Sequence, residues 1–516
     1  NTSSNNGVFD GKISNVRVTI GEPVYTSSFK VPTAPLTTTS QGVTASNVKL
    51  ICCNGSTTTS STVTPATITA AGSPTAIVDS PFDDPDGFNF GEEGDQNIIK
   101  CGSYTGNGDT SNGTKVYLGF EPQWVMIKST GFTEHWHCFD SMRGMTNKVN
   151  NGVRGIDARF ETNQSNNTET TSVDFIDVNS DGFTAFYNTN VNANNEKFVY
   201  IAVRRPDGYV AKPTESGTDV FTQAYGLTTG DFRFTSGFPI DFAWAKIYDG
   251  AGNWWASARV IQGGDIRTDS DDSENGASNK IFDNQFSWHA SLGSANAYIS
   301  HMWKRGAGFD VVAYKGDGIS GNEIPHNLGK TPEMMWVKRR NSGSTNWHVY
   351  HKDLNGGSNP ATKFLNLNNS TAEQTSITIW NDTAPTSRHF TLGNNADINT
   401  PSGTYLAILF ASVDGVSKIG TYTGSASDVT INLGFKPRFI IIKAYNSGSG
   451  SQRWTVFDSL RGMGAGSIDK RIYLDADNQQ QQGDYITSIS ATGITMRTNY
   501  SYTNSDGYEY LYYAHA

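Results

Sequence analysis

The groups in this sequence best suited to chemistry are carboxylates, and their spacing sets what chemistry to consider. Asp177-Val178-Asn179-Ser180-Asp181-Gly182 mimics the first half of a calcium loop. Its twelfth position is Asn188, where a bidentate Glu is required, so the expected element is a hairpin turn; Asn504-Ser505-Asp506-Gly507 reads the same way. Asp269-Ser270-Asp271-Asp272-Ser273-Glu274 matches no standard metal loop and is either a solvated loop or a cation site. Asp140 with Arg143, and Asp458 with Arg461, are placed to form local ion pairs, with ligand contact as the alternative role. Two carboxyls about 5–10 Å apart would suit glycoside cleavage, but sequence spacing does not fix such a distance. There is no nucleophile elbow and no His-Glu metal helix. The expectation is a protein that is not an enzyme, with no catalytic residue, metal or cofactor.

Cys52, Cys53, Cys101 and Cys138 fit no metal spacing and are expected to be reduced, buried small residues. Aromatic side chains are the better ligand candidates, because sugars stack on ring faces and exposed rings are costly unless used. Trp254, Trp288 and Trp303 fall outside the frame of the repeat described next, and Tyr502, Tyr508 and Tyr513 occupy the last strands. These six are the candidate glycan or receptor contacts, with core packing as the alternative. The C-terminal module is expected to be the tip, farthest from an N-terminal anchor.

The elements that must position these groups recur. Leu118-Gly119-Phe120-Glu121-Pro122 precedes the strand Trp124-Val125-Met126-Ile127-Lys128, and Leu433-Gly434-Phe435-Lys436-Pro437 precedes Phe439-Ile440-Ile441-Ile442-Lys443. Leu328-Gly329 with Pro332 leads to Met335-Trp336-Val337-Lys338; Gly237-Phe238-Pro239 leads to Phe242-Ala243-Trp244-Ala245-Lys246, with its Pro one residue early. A Trp follows each Lys, read as Trp136, Trp255, Trp347 and Trp454, and each copy closes on a strand led by Phe198, Tyr298, Tyr405 or Tyr510. Pro belongs at the start of a strand because it cannot donate to a ladder, and the apolar runs are too short for helices. Three markers in fixed order, four times, predict an all-β chain of tandem, jelly-roll-like β-sandwich modules at 98–212, 213–308, 309–416 and 417–516, the second divergent. The Trp and the closing aromatic are expected to cover the two inner faces of one sandwich core. Asp-Gly and Asn-Gly pairs punctuate the chain as tight turns.

Residues 1–80 do not match the repeat, and 81–97 form an acidic linker. The chain has 516 residues, 17% of them charged, 12% aromatic and 53 of them Gly, with a net charge of −10. That balance suits secreted or virion β-proteins. It disfavours nucleic acid, which needs clustered Lys and Arg. No run is long enough for a membrane span. Few cysteines suit assembly in a reducing cytoplasm, and the absence of an initial Met suggests a processed product or part of something longer.

Phe9-Asp10-Gly11-Lys12-Ile13-Ser14-Asn15-Val16-Arg17-Val18, with Tyr25 to Phe29 and Pro32 to Leu36, resembles the last strands of the laminin-G-like, concanavalin-type domains of marine bacteriophage structural proteins. The run Phe309 to Gly316, then His326-Asn327-Leu328-Gly329, Pro332 to Arg339 and Trp347 to His351, is similar to repeats of tail-fibre and other appendage proteins of marine phages, including cyanophages. The resemblance implies a virion protein on the tail or capsid exterior, assembled in the host cytoplasm. It implies a homotrimer that contacts other tail or capsid proteins and binds a host surface polysaccharide or outer-membrane receptor. A tail fibre is the first reading; a capsid-mounted knob or fibre, a polysaccharide depolymerase and a bacterial adhesin are the alternatives.

Overall fold

The computed structural model describes residues 13–26, 32, 35–54, 57–71, 74–76, 98–147, 157–165, 169–171, 174–186, 189–210, 214, 216–226, 233–276, 281–282, 286–289, 297–446, 452–464, 466 and 468–516. Two compact units divide the chain, 1–95 and 96–516. The acidic stretch 83–95 and Asn188 lie outside the described residues.

The first unit contains one three-stranded antiparallel sheet, Val16–Thr19, Val48–Cys52 and Ser61–Val63. Its core is small: Val43, Val48 and Ile51, with Val24 and Val63 packed against them. The Arg17 guanidinium donates to the carbonyls of Thr37 and Ser40 and pins the long connection.

The second unit is all-β and is built from four copies of a two-sheet module. In the fourth copy the large sheet runs, in spatial order, Ser417–Thr423, Glu509–His515, Phe439–Asn446, Thr455–Asp458, Asp469–Tyr473 and Gln481–Gly483. The small sheet is Val429–Asn432, Gly493–Met496 and Ile486–Ser490. Copies one and three repeat the six-stranded order; the divergent second copy keeps four strands, Phe221–Tyr225, Tyr298–Trp303, Phe242–Ile247 and Trp254–Ala258.

Each marker has a physical role. Gly119, Gly329 and Gly434 adopt φ of 81°, 74° and 81°, a region only Gly enters freely. In the first and fourth copies this lets consecutive amides, Leu118 and Gly119 or Leu433 and Gly434, donate to one carbonyl, of Asp181 or Thr492. Gly237, in the copy with the early Pro, does not adopt it. The closing aromatics lie inside the sandwiches. Phe198, Tyr405 and Tyr510 stack on Tyr104, Tyr314 and Tyr422 of the first strand at 5.2, 4.9 and 4.9 Å between centroids.

The Trp residues correct the sequence reading. Trp347 and Trp454 do not share the sandwich core with the closing aromatics; they project from the opposite face of the large sheet into a core common to several modules. In the second copy the residue at that place is Trp254. Trp255 instead packs against the sandwich interior with Tyr298. The strands at the centre of modules two to four are buried on both faces: all six residues of Tyr298–Trp303, all seven of Thr404–Phe410 and the last six of Glu509–His515. Their outward faces meet in one aromatic cluster. Trp244 stacks on Trp336 at 5.8 Å, Phe410 contacts Tyr513 at 4.8 Å, and Trp303 contacts Phe439 at 5.7 Å. Module four is therefore no free tip, because it packs against both modules two and three. Among the described residues no helix is long and apolar enough to cross a membrane.

Candidate functional site

The most elaborate polar arrangement joins modules two, three and four, and it grows out of the Lys that ends each strand motif. Lys246, Lys338 and Lys443 are all fully buried. Each ammonium donates to the carbonyl two residues before its module's Trp: Gly252, Thr345 and Gln452. Burial pushes their pKa values down, to about 8, 8 and 7. Each Trp amide in turn donates to a side-chain oxygen of its own module, Asp269, Asn368 or Asp475.

From this clasp every module reaches into a neighbour. The indole N–H of Trp254 donates to Tyr473 O at 2.7 Å, Trp347 to Arg267 O at 2.8 Å and Trp454 to Asn366 O at 2.9 Å. The amides of Gly252, Thr345 and Gln452 donate to the carbonyls of Asp477, Asp271 and Ser370. The amides of Gln480, Glu274 and Glu373 return to the carbonyls of Tyr248, Arg340 and Tyr445. Module two thus holds four, four holds three and three holds two, a closed ring with one repeated joint. The indoles, amides and carbonyls of the joint are paired with one another, the condition under which buried polar groups specify one arrangement.

Two further groups resemble catalytic machinery by composition. Trp244 Nε1 donates to His301 Nδ1 at 2.8 Å, and His301 Nε2 lies 3.2 Å from Asp458. Indole N–H is only a donor, so Nδ1 is bare and Nε2–H faces the carboxylate. Burial lowers the His301 pKa and keeps the ring neutral. Burial alone would raise Asp458, but Arg461 at 2.5 Å and His301 outweigh it and hold the carboxyl at about 2. The His–Asp pair is fully buried, with Trp244 where a nucleophile would have to be. It positions modules two and four. The second group is a square of buried charges, Glu121 and Asp310 against Arg205 and Arg305, with contacts of 2.5, 2.6, 3.2 and 3.5 Å. It welds module one to modules two and three. Beside it, Gly208 N donates to Asn327 O, and a Cβ on Gly208 would sit 1.9 Å from Leu328 O.

The carboxylate and cysteine candidates of the sequence fall into structural roles. Asp140–Arg143 and Asp458–Arg461 both form ion pairs at 2.5 Å. Ser180-Asp181 is the two-residue turn of a hairpin, and Asp181 pairs with Lys115 at 2.9 Å. The acidic loop is consumed by structure: Asp269 accepts from the Trp254 amide, Asp272 pairs with Arg267, and Glu274 pairs with Arg340. Among the described residues no group of three His, Cys, Asp or Glu side chains is placed to hold a metal ion. All four cysteines are free thiols; Cys138 is buried, whereas Cys53 and Cys101 are exposed, contrary to the expectation that all are core residues.

Of the six aromatic candidates, Trp254, Trp288, Trp303 and Tyr513 are at most 1% exposed, so they cannot meet an external ligand. Trp254 belongs to the ring joint. Trp288 is sandwiched between Phe234 and Phe282 and donates to Ser300. Trp303 donates to the Tyr513 hydroxyl in the shared core. Tyr508 is half-buried against the interior of module four. Only Tyr502 stands in a surface arrangement suited to a ligand. It meets Tyr473 edge-on at 5.5 Å, and the Arg471 guanidinium lies 5.2 Å from its ring and 4.1 Å from that of Tyr485. Tyr485 contacts Tyr500 at 4.8 Å, while the exposed Gln481 accepts from Arg471 and Tyr473. Tyr473, Tyr485 and Arg471 are themselves buried, so the accessible part is the half-exposed Tyr500 and Tyr502 rings and the exposed Gln481 amide, which can stack on a pyranose face and hydrogen-bond its hydroxyls. Sequence reasoning misses Arg471, Tyr500 and Gln481 because they come from three different strands and turns.

The fold and these sites define an all-β protein of tandem sandwich modules, three of them closed into a ring. The chain belongs to the family described as "Domain of unknown function (DUF7483)", which it matches over residues 24–206 and 222–516. The interruption falls at the joint between modules one and two. No curated protein matches the chain.

Proposed function

We propose that the protein is a structural appendage of a bacteriophage virion, a tail fibre in the first instance, that binds the host cell surface and does no chemistry. The reading rests on the marine-phage resemblance of the repeats. What supports its non-enzymatic side is the use of several buried charged and histidine groups, with His301, Asp458, Glu121, Asp310, Arg205 and Arg305 spent in module joints and Asp157 and Asp469 in backbone contacts within their own modules. Two of the carboxyls that burial pushes up, Asp269 and Asp475 at about 6, face the buried Lys246 and Lys443. Surface carboxyls such as the half-exposed Glu196 and the exposed Asp428 are held low by hydrogen bonds from Ser129 and Gly131 and from Thr487 and Thr498, which unsuits them as general acids.

The single observation that carries the binding site is the pair of half-exposed rings, Tyr500 and Tyr502, beside the exposed Gln481 and held by the buried Arg471 and Tyr485. Purified full-length protein tested against envelope polysaccharides and lipopolysaccharide of candidate hosts should bind without releasing shorter glycans. Tyr502→Ala should weaken binding about tenfold, the loss of one stacking contact of about 1.4 kcal/mol. Glycan shortening by the purified protein, or undiminished binding by Tyr502→Ala, would overturn this reading.

A further inference from the structure

Arg471 is a buried cation flanked by neutral residues where the same position in module one is flanked by acids. Arg159 and Arg471 occupy one register, across the sheet from Phe139 and Phe457. Two residues earlier, Asp157 and Asp469 accept the same pair of backbone amides, Phe175 and Ile176 or Tyr485 and Ile486. Each guanidinium lies over the first ring of that pair, Phe175 at 4.6 Å and Tyr485 at 4.1 Å. In module one Glu161 pairs with Arg159 at 3.4 Å, and Glu169 stands opposite Arg159 on the next strand. The aligned residues of module four are Tyr473 and Gln481. Both acids are gone and the Arg is kept.

Arg471 is 8% exposed, and no carboxylate forms an ion pair with it among the described residues. Asp469, on the same side of the strand, is taken up by the amides of Gly464, Tyr485 and Ile486. The rings of Tyr473, Tyr485 and Tyr502, at 5.3, 4.1 and 5.2 Å, attract the cation but offer no counter-charge. A buried charge is costly until one is supplied. The hydrogen bonds show where it is missing. Nη2 donates to Gln481 Oε1 at 3.0 Å, and Nε has no hydrogen-bond partner. Nε and Nη2 together form one edge of the guanidinium, an edge that takes a carboxylate by two parallel bonds. The single oxygen of an amide fills half of it.

We infer that the glycan held at Tyr500 and Tyr502 is acidic, and that the carboxylate of a uronic acid displaces the Gln481 amide to pair with Arg471. The inference rests on the glycan-binding reading and names the class of its ligand. Gln481 is placed to give way. It is exposed and lies on Gln481–Gly483, the edge strand of the large sheet. Its Oε1 accepts from Arg471 Nη2 and from the Tyr473 hydroxyl at 2.8 Å, the two donors that one carboxylate oxygen would take over. The second oxygen then meets Nε. An amide and a carboxylate share a planar shape, but the charged acceptor makes the stronger bonds. A neutral sugar leaves the amide in place and keeps only the ring faces; an acidic one exchanges for it.

The test uses the full chain with tetramers of galacturonate and of mannuronate, each as the free acid and as the methyl ester, which keeps the sugar and removes the charge. Calorimetry at neutral pH should show at least one acid binding about tenfold or more tighter than its ester. Gln481→Glu gives module four a carboxylate of its own at the place where module one has Glu169. It should weaken the acid by about tenfold or more and leave the ester unmoved, which a merely structural change would not do. Gln481→Ala uncovers Arg471 and should bind the acid at least as tightly as the parent. Acid and ester bound alike would overturn the inference and leave the rings as a neutral-glycan site. An acid preference that survives Gln481→Glu means that the charge is read elsewhere, and loss of acid binding in Gln481→Ala means that the amide itself holds the ligand; either overturns it. So does a parent that binds neither acid, whereas the binding reading itself is decided separately by the envelope polysaccharides and Tyr502→Ala.

Discussion

The large sheets of module one and module four share strand order, register, the closing aromatic stack and the Asp–Arg turn, yet one face has opposite fates in the two. In module four it is core: Phe439, Ile441, Lys443, Trp454 and Tyr513 are all buried against neighbours. In module one the aligned Trp124, Met126, Lys128, Trp136 and Ile201 are half-exposed. After the exposed Lys197, the strand Lys197–Arg204 alternates buried and half-exposed, while Glu509–His515 is buried almost throughout. The inner sandwich core is common to both modules, whereas the outer face is buried within the chain in modules two to four. Lys, ordinarily a surface residue, becomes a core residue where its own hairpin, joined in modules three and four by a neighbour's carbonyl, surrounds the ammonium.

The comparison can be broken most severely at the Trp pair. Trp454→Ala should cost about 3–5 kcal/mol, from the cavity and an orphaned carbonyl, whereas Trp136→Ala in monomeric protein should cost under about 1 kcal/mol, as half-exposed surface changes do. Chemical denaturation of both variants measures the difference; equal losses would mean that the two faces are equivalently buried. Of similar size is the buried charge square. Glu121→Gln leaves Arg305 and Arg205 short of a counter-charge and should destabilise by about 3 kcal/mol, with exchange rising first in the strands of module one. Gly208→Ala drives a methyl into Leu328 O and should loosen the junction of modules one and three without touching the ring. Hydrogen exchange at 207–210 and 327–329 would rise, and that at 452–458 would not.

A smaller effect separates the ring by pH. His515 is buried against Phe221 at 4.6 Å in the contact of modules two and four, and burial lowers its pKa to about 3. The unfolded chain binds this proton at about 6.5, so between pH 6.5 and 3 the unfolded state holds more protons and stability falls as pH falls. The contribution is fully present above pH 6.5. His515→Phe removes it, so the melting temperature of the variant relative to the parent should rise steadily as pH drops from 6.5 to 4. A constant difference would mean that His515 does not titrate with unfolding.

Much of the module is legible in the sequence. Leu-Gly and Pro mark the start of the strand, the closing aromatic marks the inner core, and Asp-Arg marks the turn, because each is a local device with a fixed spacing. The placement of Trp is not legible, for a physical reason. A strand apolar on both faces does not declare which face meets its own small sheet and which meets another module. Position counting selects Trp255 over Trp254, although only Trp254 has the parity of Lys246. The acidic loop at 269–274 reads as solvated or metal-binding because its partners, Arg340 and the Trp254 amide, are remote in sequence or belong to the backbone. The Tyr502 strip is half legible: the ring is visible, while Arg471 and Gln481 approach it only through the fold.

The central claim is that modules two, three and four form one closed ring held by a repeated joint. Hydrogen exchange of the intact chain, read at the amides of Gly252, Thr345 and Gln452, tests it most directly. These three amides should share one protection free energy in the parent, and all three should lose protection together in Trp454→Ala. Independent protection, with only Gln452 responding to that substitution, would contradict the ring.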